Sequence, residues 1–206
     1  MAVKFTINGN GVLEKAELTD ETGIVIADTV RGTGEREFCD YSLLTSAAVP
    51  NGVTSIGDGA FAGCDWLSDI AIPDSVTGIG SRAFYDCYSL EAVIIPDGVT
   101  SIGDEAFADC NQLEDAVIPG KVARIGNRAF AWCESLTRIV IPGSVTSIGD
   151  MAFYGCSSLA GAAIPDGVTH IGAEAFAWCG SLVISAPPGS YAERYAAENQ
   201  IEYHVI

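Results

Sequence analysis

One interval governs this chain: 23 residues. Val30, Val53, Val76, Val99, Val122, Val145 and Val168 stand at that spacing, and each is followed at fixed offsets by the same residue types. Four residues on is a glycine (Gly34 to Gly172), eight on a phenylalanine (Phe38 to Phe176). Fourteen on is a leucine (Leu44 to Leu182), and twenty on a proline (Pro50 to Pro188). A self-similar period of this length is the signature of a solenoid, in which each copy is one turn of a stack.

The unit beginning at Val99 shows why. Val99 and Ile102 open a short extended stretch, and Gly103 leaves room for a turn that a side chain would block. Asp104 has the short polar side chain of a helix N-cap, so a turn of helix is expected there. Phe107 and Cys110 share its inward face. After Leu113, Ala116 and Ile118 alternate inward with Val117 outward, the two-residue period of a strand. Pro119 ends that strand because it has no N–H to offer a ladder. One such unit cannot hide its own apolar groups. Stacked units can, Phe on Phe and Leu on Leu, with strands about 4.8 Å apart and seven coils spanning roughly 35 Å.

The motif LxxIxIPxxVxxIGxxAFxxC, clear from Leu67 to Cys87 and again from Leu136 to Cys156, resembles the BspA-like leucine-rich repeats. The resemblance covers residues 30 to 206. It implies an α/β solenoid, a right-handed leucine-rich-repeat superhelix of short strands and short helical turns. It also implies a bacterial role in surface adhesion or protein binding, and partner contact on the strand face. The first coil departs from the pattern, with Thr33, Glu37 and Tyr41 replacing the isoleucine, alanine and cysteine.

The expected organisation is a single structural unit: an N-terminal hairpin cap over residues 1–29, seven coils over 30–189 and a C-terminal cap over 190–206. In the first cap Phe5-Thr6-Ile7 and Val12-Leu13 flank the turn Asn8-Gly9-Asn10-Gly11, and Ile24-Val25-Ile26 forms the first strand of the stack. In the last, Ser190 and Glu193 fit a capping box opening a helix to about Gln200, with Tyr191, Tyr195 and Ala196 on one side. Ile201 to Ile206 then returns as a strand.

Charge narrows the partners. With 27 acidic and 10 basic residues the formal net charge is −17, which repels nucleic-acid backbones and anionic lipid. No apolar run approaches the roughly 20 residues of a membrane-spanning helix, so membrane insertion is not expected. The opening MAVKFTINGNG holds no apolar leader stretch. Localisation is therefore open between the cell surface or secretion, which the resemblance implies, and the cytoplasm, which the absent leader and unpaired thiols allow.

Catalytic and metal chemistry find little support. Cys64, Cys87, Cys110, Cys133, Cys156 and Cys179 share one slot, so the repeat explains their spacing. Stacked in parallel, their β-carbons sit near the 4.8 Å strand spacing rather than the roughly 3.8 Å a disulfide wants, and a reduced core ladder is expected. Cys39 falls outside that slot. No CxxC pair marks a zinc site. His170 and His204 are the only histidines, a Ser-His-Asp set would require distant coils of a rod to converge, and the glycines never form a phosphate loop. Asp58, Asp104 and Asp150 recur in alternate coils about 9.6 Å apart, too far to share a cation. Arg82, Glu105 and Arg128 alternate in sign as an exposed ladder, and Thr54, Thr77, Thr100, Thr146 and Thr169 form another beside the short strands. No cofactor, metal or enzymatic activity is expected.

The variable slots remain. Eighteen residues past the valine the outward strand position reads Ala71, Ile94, Val117, Val140 and Ala163. Beside it are Asp69, Ala92, Asp115, Arg138 and Gly161. If solvent-facing, this stripe is an apolar patch and the leading candidate for partner binding, or for self-assembly through the same surface. Trp66, Tyr85, Tyr88, Trp132, Tyr154 and Trp178 form a second candidate set. Exposed aromatics suit binding surfaces, but here packing on the next coil competes with that role.

Overall fold

The computed structural model describes residues 4–7, 11–17, 23–26 and 30–206. It is a parallel solenoid of seven coils closed by a single α-helix and a last strand. Two rows of strands run along it. The first contains three-residue strands such as Asp69–Ala71, Ala92–Ile94, Asp115–Val117 and Arg138–Val140. The second contains two-residue strands such as Ser55–Ile56, Gly78–Ile79, Ser101–Ile102 and Arg124–Ile125. Partners lie one repeat apart, Ala92 opposite Asp115 and Ser101 opposite Arg124.

The interior is the expected stack. Phenylalanines from Phe38 to Phe176 lie nearly parallel, ring centroids 4.9–5.4 Å apart and planes within 14°. The valine, leucine and cysteine slots are buried around them. Ala116 and Ile118 point in and Val117 points out, as the two-residue period requires. In the first coil Thr33 is buried, and its hydroxyl accepts the Gly57 N–H at 2.8 Å. Tyr41 takes the cysteine position there and meets the Phe38 ring edge-on.

The side opposite the long strands is built differently from the expected helical turn. Six and ten residues past each valine the backbone is left-handed: Arg36 and Asp40 in the first coil, Arg82 and Asp86 in the third, Glu105 and Asp109 in the fourth, Arg128 and Trp132 in the fifth. Two such residues per coil prevent a run of helix. They aim alternate N–H groups along the stack. At each of the six steps between coils, three backbone bonds of 2.7–2.9 Å pass forward, as Glu105, Phe107 and Asp109 donate to Asn127, Ala129 and Ala131.

Asp104 is accordingly no helix cap. Its Oδ1 accepts the N–H of Asn127 in the next coil at 2.8 Å. Asp58, Asn127 and Asp150 accept from Ser81, Asp150 and Ala173 in the same way. Gly103 is required by its neighbour more than by its own turn: a β-carbon there would lie 2.6 Å from the Gly80 backbone.

At the N-terminal end Lys4–Ile7 pairs antiparallel with Val12–Glu17, which in turn runs parallel to Gly32–Thr33. Asn8, Gly9 and Asn10 of the expected turn lie outside the described residues. Gly23–Val25 pairs with Ser46–Ala48 and so begins the long row. At the other end the last coil is one residue short. Val183 pairs with Gly161, so the strand-closing proline is Pro187 rather than Pro188. Ser190 then stands where an eighth valine would, its N–H donating to the Pro187 carbonyl as Val168 donates to Pro165.

The helix Tyr191–Glu198 starts at Ser190, whose hydroxyl accepts the Glu193 N–H, while the Glu193 carboxylate reaches back to the Gly189 N–H. It buries Ala192, Tyr195 and Ala196, with Tyr191 half-buried. The Tyr195 hydroxyl accepts the Phe176 N–H at 3.4 Å, standing in for the carbonyl of a missing coil. Glu202–Val205 closes the sheet beside Val183–Ala186.

Candidate functional site

The strand face presents the predicted stripe to solvent. Ile94 is 80% exposed, Val117 67% and Val140 53%. Asp69, Ala71, Ala92, Asp115 and Arg138 are also exposed, and Ala163 is half-buried. The alternation puts Ile70, Val93, Ala116 and Ile139 inward, so the outward set stands on a packed layer rather than on a loop.

The row beneath is not continuous. Strands 23–25, 46–48 and 69–71 form one hydrogen-bonded block. Strands 92–94 and 115–117 form a second, and those from 138–140 to 202–205 a third. Ile94 and Val117 therefore share a two-stranded block with no strand pairing at the step on either side.

The aromatic set divides. Trp132 lies on the following coil, where a β-carbon added at Gly155 would sit inside its indole, and it meets Tyr154 edge-on at 5.3 Å. The two rings pack on each other, and Trp132 keeps 43% of its surface exposed. Tyr85 is half-buried beside Arg82 and hydrogen-bonds Asp109, whose charge, with burial, holds its hydroxyl above the usual range. Trp66 and Tyr88 are exposed and share a cleft. Trp178, in the last coil, has no following coil to lie on and is exposed beside a groove against Asn199 and Ile201.

The cysteines form the expected reduced ladder, with a partner the sequence did not reveal. Each buried thiol donates to the carbonyl of the phenylalanine 26 residues earlier, at 3.0–3.2 Å from Cys64–Phe38 to Cys179–Phe153. Burial pushes the Cys64 thiol up to about 12 and holds Cys87, Cys133 and Cys156 well above the ordinary value, which favours the neutral thiol at these positions. Of the charge ladder, Arg82 and Glu105 form a two-pronged pair at 3.0 and 3.1 Å, while Arg128 turns to the Met151 sulfur. The hydroxyls of Thr54, Thr77, Thr146 and Thr169 donate to the preceding coil's carbonyls, as Thr77 to Thr54 and Thr169 to Thr146. Among the described residues no three metal-binding groups converge, and no helix is long and apolar enough to cross a membrane.

The left-handed slots escaped the sequence reading. Asp and Gly at the second of them (Asp40, Gly63, Asp86, Asp109, Gly155) carried a signal, since both types tolerate positive φ. Arg36, Arg82, Glu105 and Met151 at the first carried none. Leu43, in the same slot as Trp66 and equally exposed, was also missed.

Comparison with known proteins agrees with this geometry. The family model for the BspA type leucine rich repeat region matches residues 31–160 and 123–193, in six copies. A leucine-rich repeat protein of T. pallidum (TpLRR) superposes with a TM-score of 0.80 at 24% identity, covering 98% of this chain and 95% of that one. A leucine-rich repeat protein from Bacteroides ovatus ATCC 8483 gives 0.59 at 26% identity, covering 98% of this chain and 65% of that one. No curated protein sequence matches.

Proposed function

Because the chain belongs to the BspA-type leucine-rich repeat family, we propose that it is a non-catalytic protein-binding module, adhesin-like or scaffolding, that works through the strand face of its solenoid. Repeat proteins of this kind are interaction scaffolds and typically not enzymes. The observation that supports the reading most directly is the run of Ile94, Val117 and Val140, three branched aliphatic side chains in successive coils, each more than half exposed. Desolvating them recovers roughly 25 cal/mol per Å². They stand on a rigid packed layer, so little conformational entropy opposes contact. Ala71 and Ala163 continue the stripe at its two ends, and Asp69, Ala92, Asp115 and Arg138 frame it and give the surface its selectivity.

The partner is a protein, and a role at the bacterial cell surface follows from this family's association with adhesion. The test is a photo-crosslinking amino acid placed at Ala71, within the stripe, or at Glu174, on the turn side. Crosslinks to a distinct protein are expected from Ala71 and not from Glu174, and the double change Val117→Lys and Val140→Lys should abolish them while shifting stability by no more than about 0.5 kcal/mol. Light scattering should find a concentration-independent monomer. A dimer that dissociates in the double variant assigns the stripe to self-assembly instead, and crosslinks that survive the double change put contact on another face.

A further inference from the structure

Where the turn side meets the strand face, the residues twelve and thirteen past each valine form an edge along the stack. In the last four coils they are Asn111-Gln112, Glu134-Ser135, Ser157-Ser158 and Gly180-Ser181. In the first three they are Ser42-Leu43, Asp65-Trp66 and Tyr88-Ser89. The backbone makes the same bond in both regions: Ser89 and Gln112 donate to Asp65 and Tyr88 as Ser135 and Ser158 donate to Asn111 and Glu134. Serine fills the slot of Leu43 and Trp66, thirteen past the valine, in four of the seven copies, and small or polar residues fill the slot of Tyr88, twelve past it, in the other six. Leu43, Trp66 and Tyr88, exposed by 68%, 64% and 49%, are therefore not required by the fold.

Trp66 and Tyr88 open onto a cleft of about 490 Å³ that Asp65, Asp86, Ser89 and Gln112 complete, with no basic residue in its lining. Its potential is negative beyond those two carboxylates. Burial, and then the charges of Asp65, Asp109 and Asp40, hold the Asp86 carboxyl above the ordinary carboxylate range. Aromatic faces beside ionised carboxylates attract a cation that is planar and weakly hydrated. That describes a guanidinium better than an ammonium.

We infer that this cleft receives an arginine side chain of a protein partner, its guanidinium plane against Trp66 and Tyr88 and its charge facing Asp65 and Asp86. The net charge of −17 steers such a basic partner toward the chain. The inference rests on the chain being a protein-binding module, but not on the strand face being the main contact.

The probe is the capped pentapeptide Gly-Ser-Arg-Ser-Gly, titrated while the three indole N–H resonances and the Tyr88 ring are followed by NMR. The Trp66 resonance should shift saturably, with Trp132 and Trp178 unmoved. Replacing arginine by citrulline, its neutral isostere, should remove the shift. Trp66→Ser should remove the response at Tyr88, and Asp65→Asn with Asp86→Asn should weaken binding by about three- to tenfold, the loss of two exposed ion pairs. Affinity should fall on acidification as Asp86 protonates. Equal shifts at all three indoles mean non-specific attraction to the acidic surface, and equal binding of the citrulline peptide means the cleft does not select charge. A response to methyl β-glucoside without one to the peptide makes it a carbohydrate site. Each of these results overturns the inference. The Val117→Lys, Val140→Lys variant should bind the peptide unchanged, which separates failure here from failure of the strand-face reading.

Discussion

The two long sides of each coil stack in unlike ways. On the turn side every step carries three short backbone bonds, repeated without a gap from the first coil to the seventh. On the strand face the ladder is cut into blocks of three, two and four strands. The side that looks irregular in each coil is thus the continuous one, and the side with the regular strands tolerates interruption. The lesson is a division of labour. Stacking is carried where the backbone alternates in hand and the phenylalanines sit behind it, which leaves the strand face free to vary its outward residues.

Perturbations of the turn side should therefore cost most. Phe107→Ala opens a void in the centre of the ring stack and should lower stability by about 3–5 kcal/mol in denaturant unfolding. An unchanged midpoint would mean that the strand face holds the coils. Gly103→Ala places a β-carbon against the Gly80 backbone and should cost about 1–3 kcal/mol. In the opposite direction, Glu174→Gly relieves a left-handed residue at φ +55° and should stabilise by about 0.5–1 kcal/mol, the left-handed penalty less glycine's extra freedom when unfolded. A loss of stability there would show that the positive φ carries no strain.

The smallest effect is electrostatic. The Asp86 carboxyl is raised in the folded state, chiefly by burial and then by Asp65. The native form thus binds its proton more tightly than the unfolded chain does. Ionised Asp86 costs stability at neutral pH. That cost fades as pH falls through the raised folded value and is gone below the unfolded value near 3.9. Asp86→Asn should accordingly be slightly more stable than the parent at pH 7, and the two melting curves should converge toward pH 4.

Most of the fold was legible because the period states which residues meet: once Phe84 and Phe107 share a slot, their contact follows from stacking alone. The strand stripe was legible for the same reason, since a two-residue alternation that buries Ala116 and Ile118 must expose Val117. The turn side was not, because nothing in Arg, Glu or Met announces a positive φ, and Asp104 looks alike as a helix cap or as an acceptor for the next coil. The shortened last coil hid behind two adjacent prolines, Pro187 and Pro188, either of which fits the interval. The Trp66 cleft needed three dimensions. It joins Asp86 and Gln112 from neighbouring coils, and which slots open outward depends on the turns that the sequence concealed.

Each inner coil presents to its successor the same donors that its predecessor presented to it, and Tyr195 accepts the last coil's Phe176 N–H as an eighth would. Length is consequently a quantity this architecture does not fix. Excising residues 99–121 would splice Gly98 to Val122 and restore every turn-side bond between the coils so joined, shortening the array by about 4.8 Å with both terminal closures untouched. Selection can lengthen or trim the reach of the molecule by whole copies without redesigning its beginning or its finish.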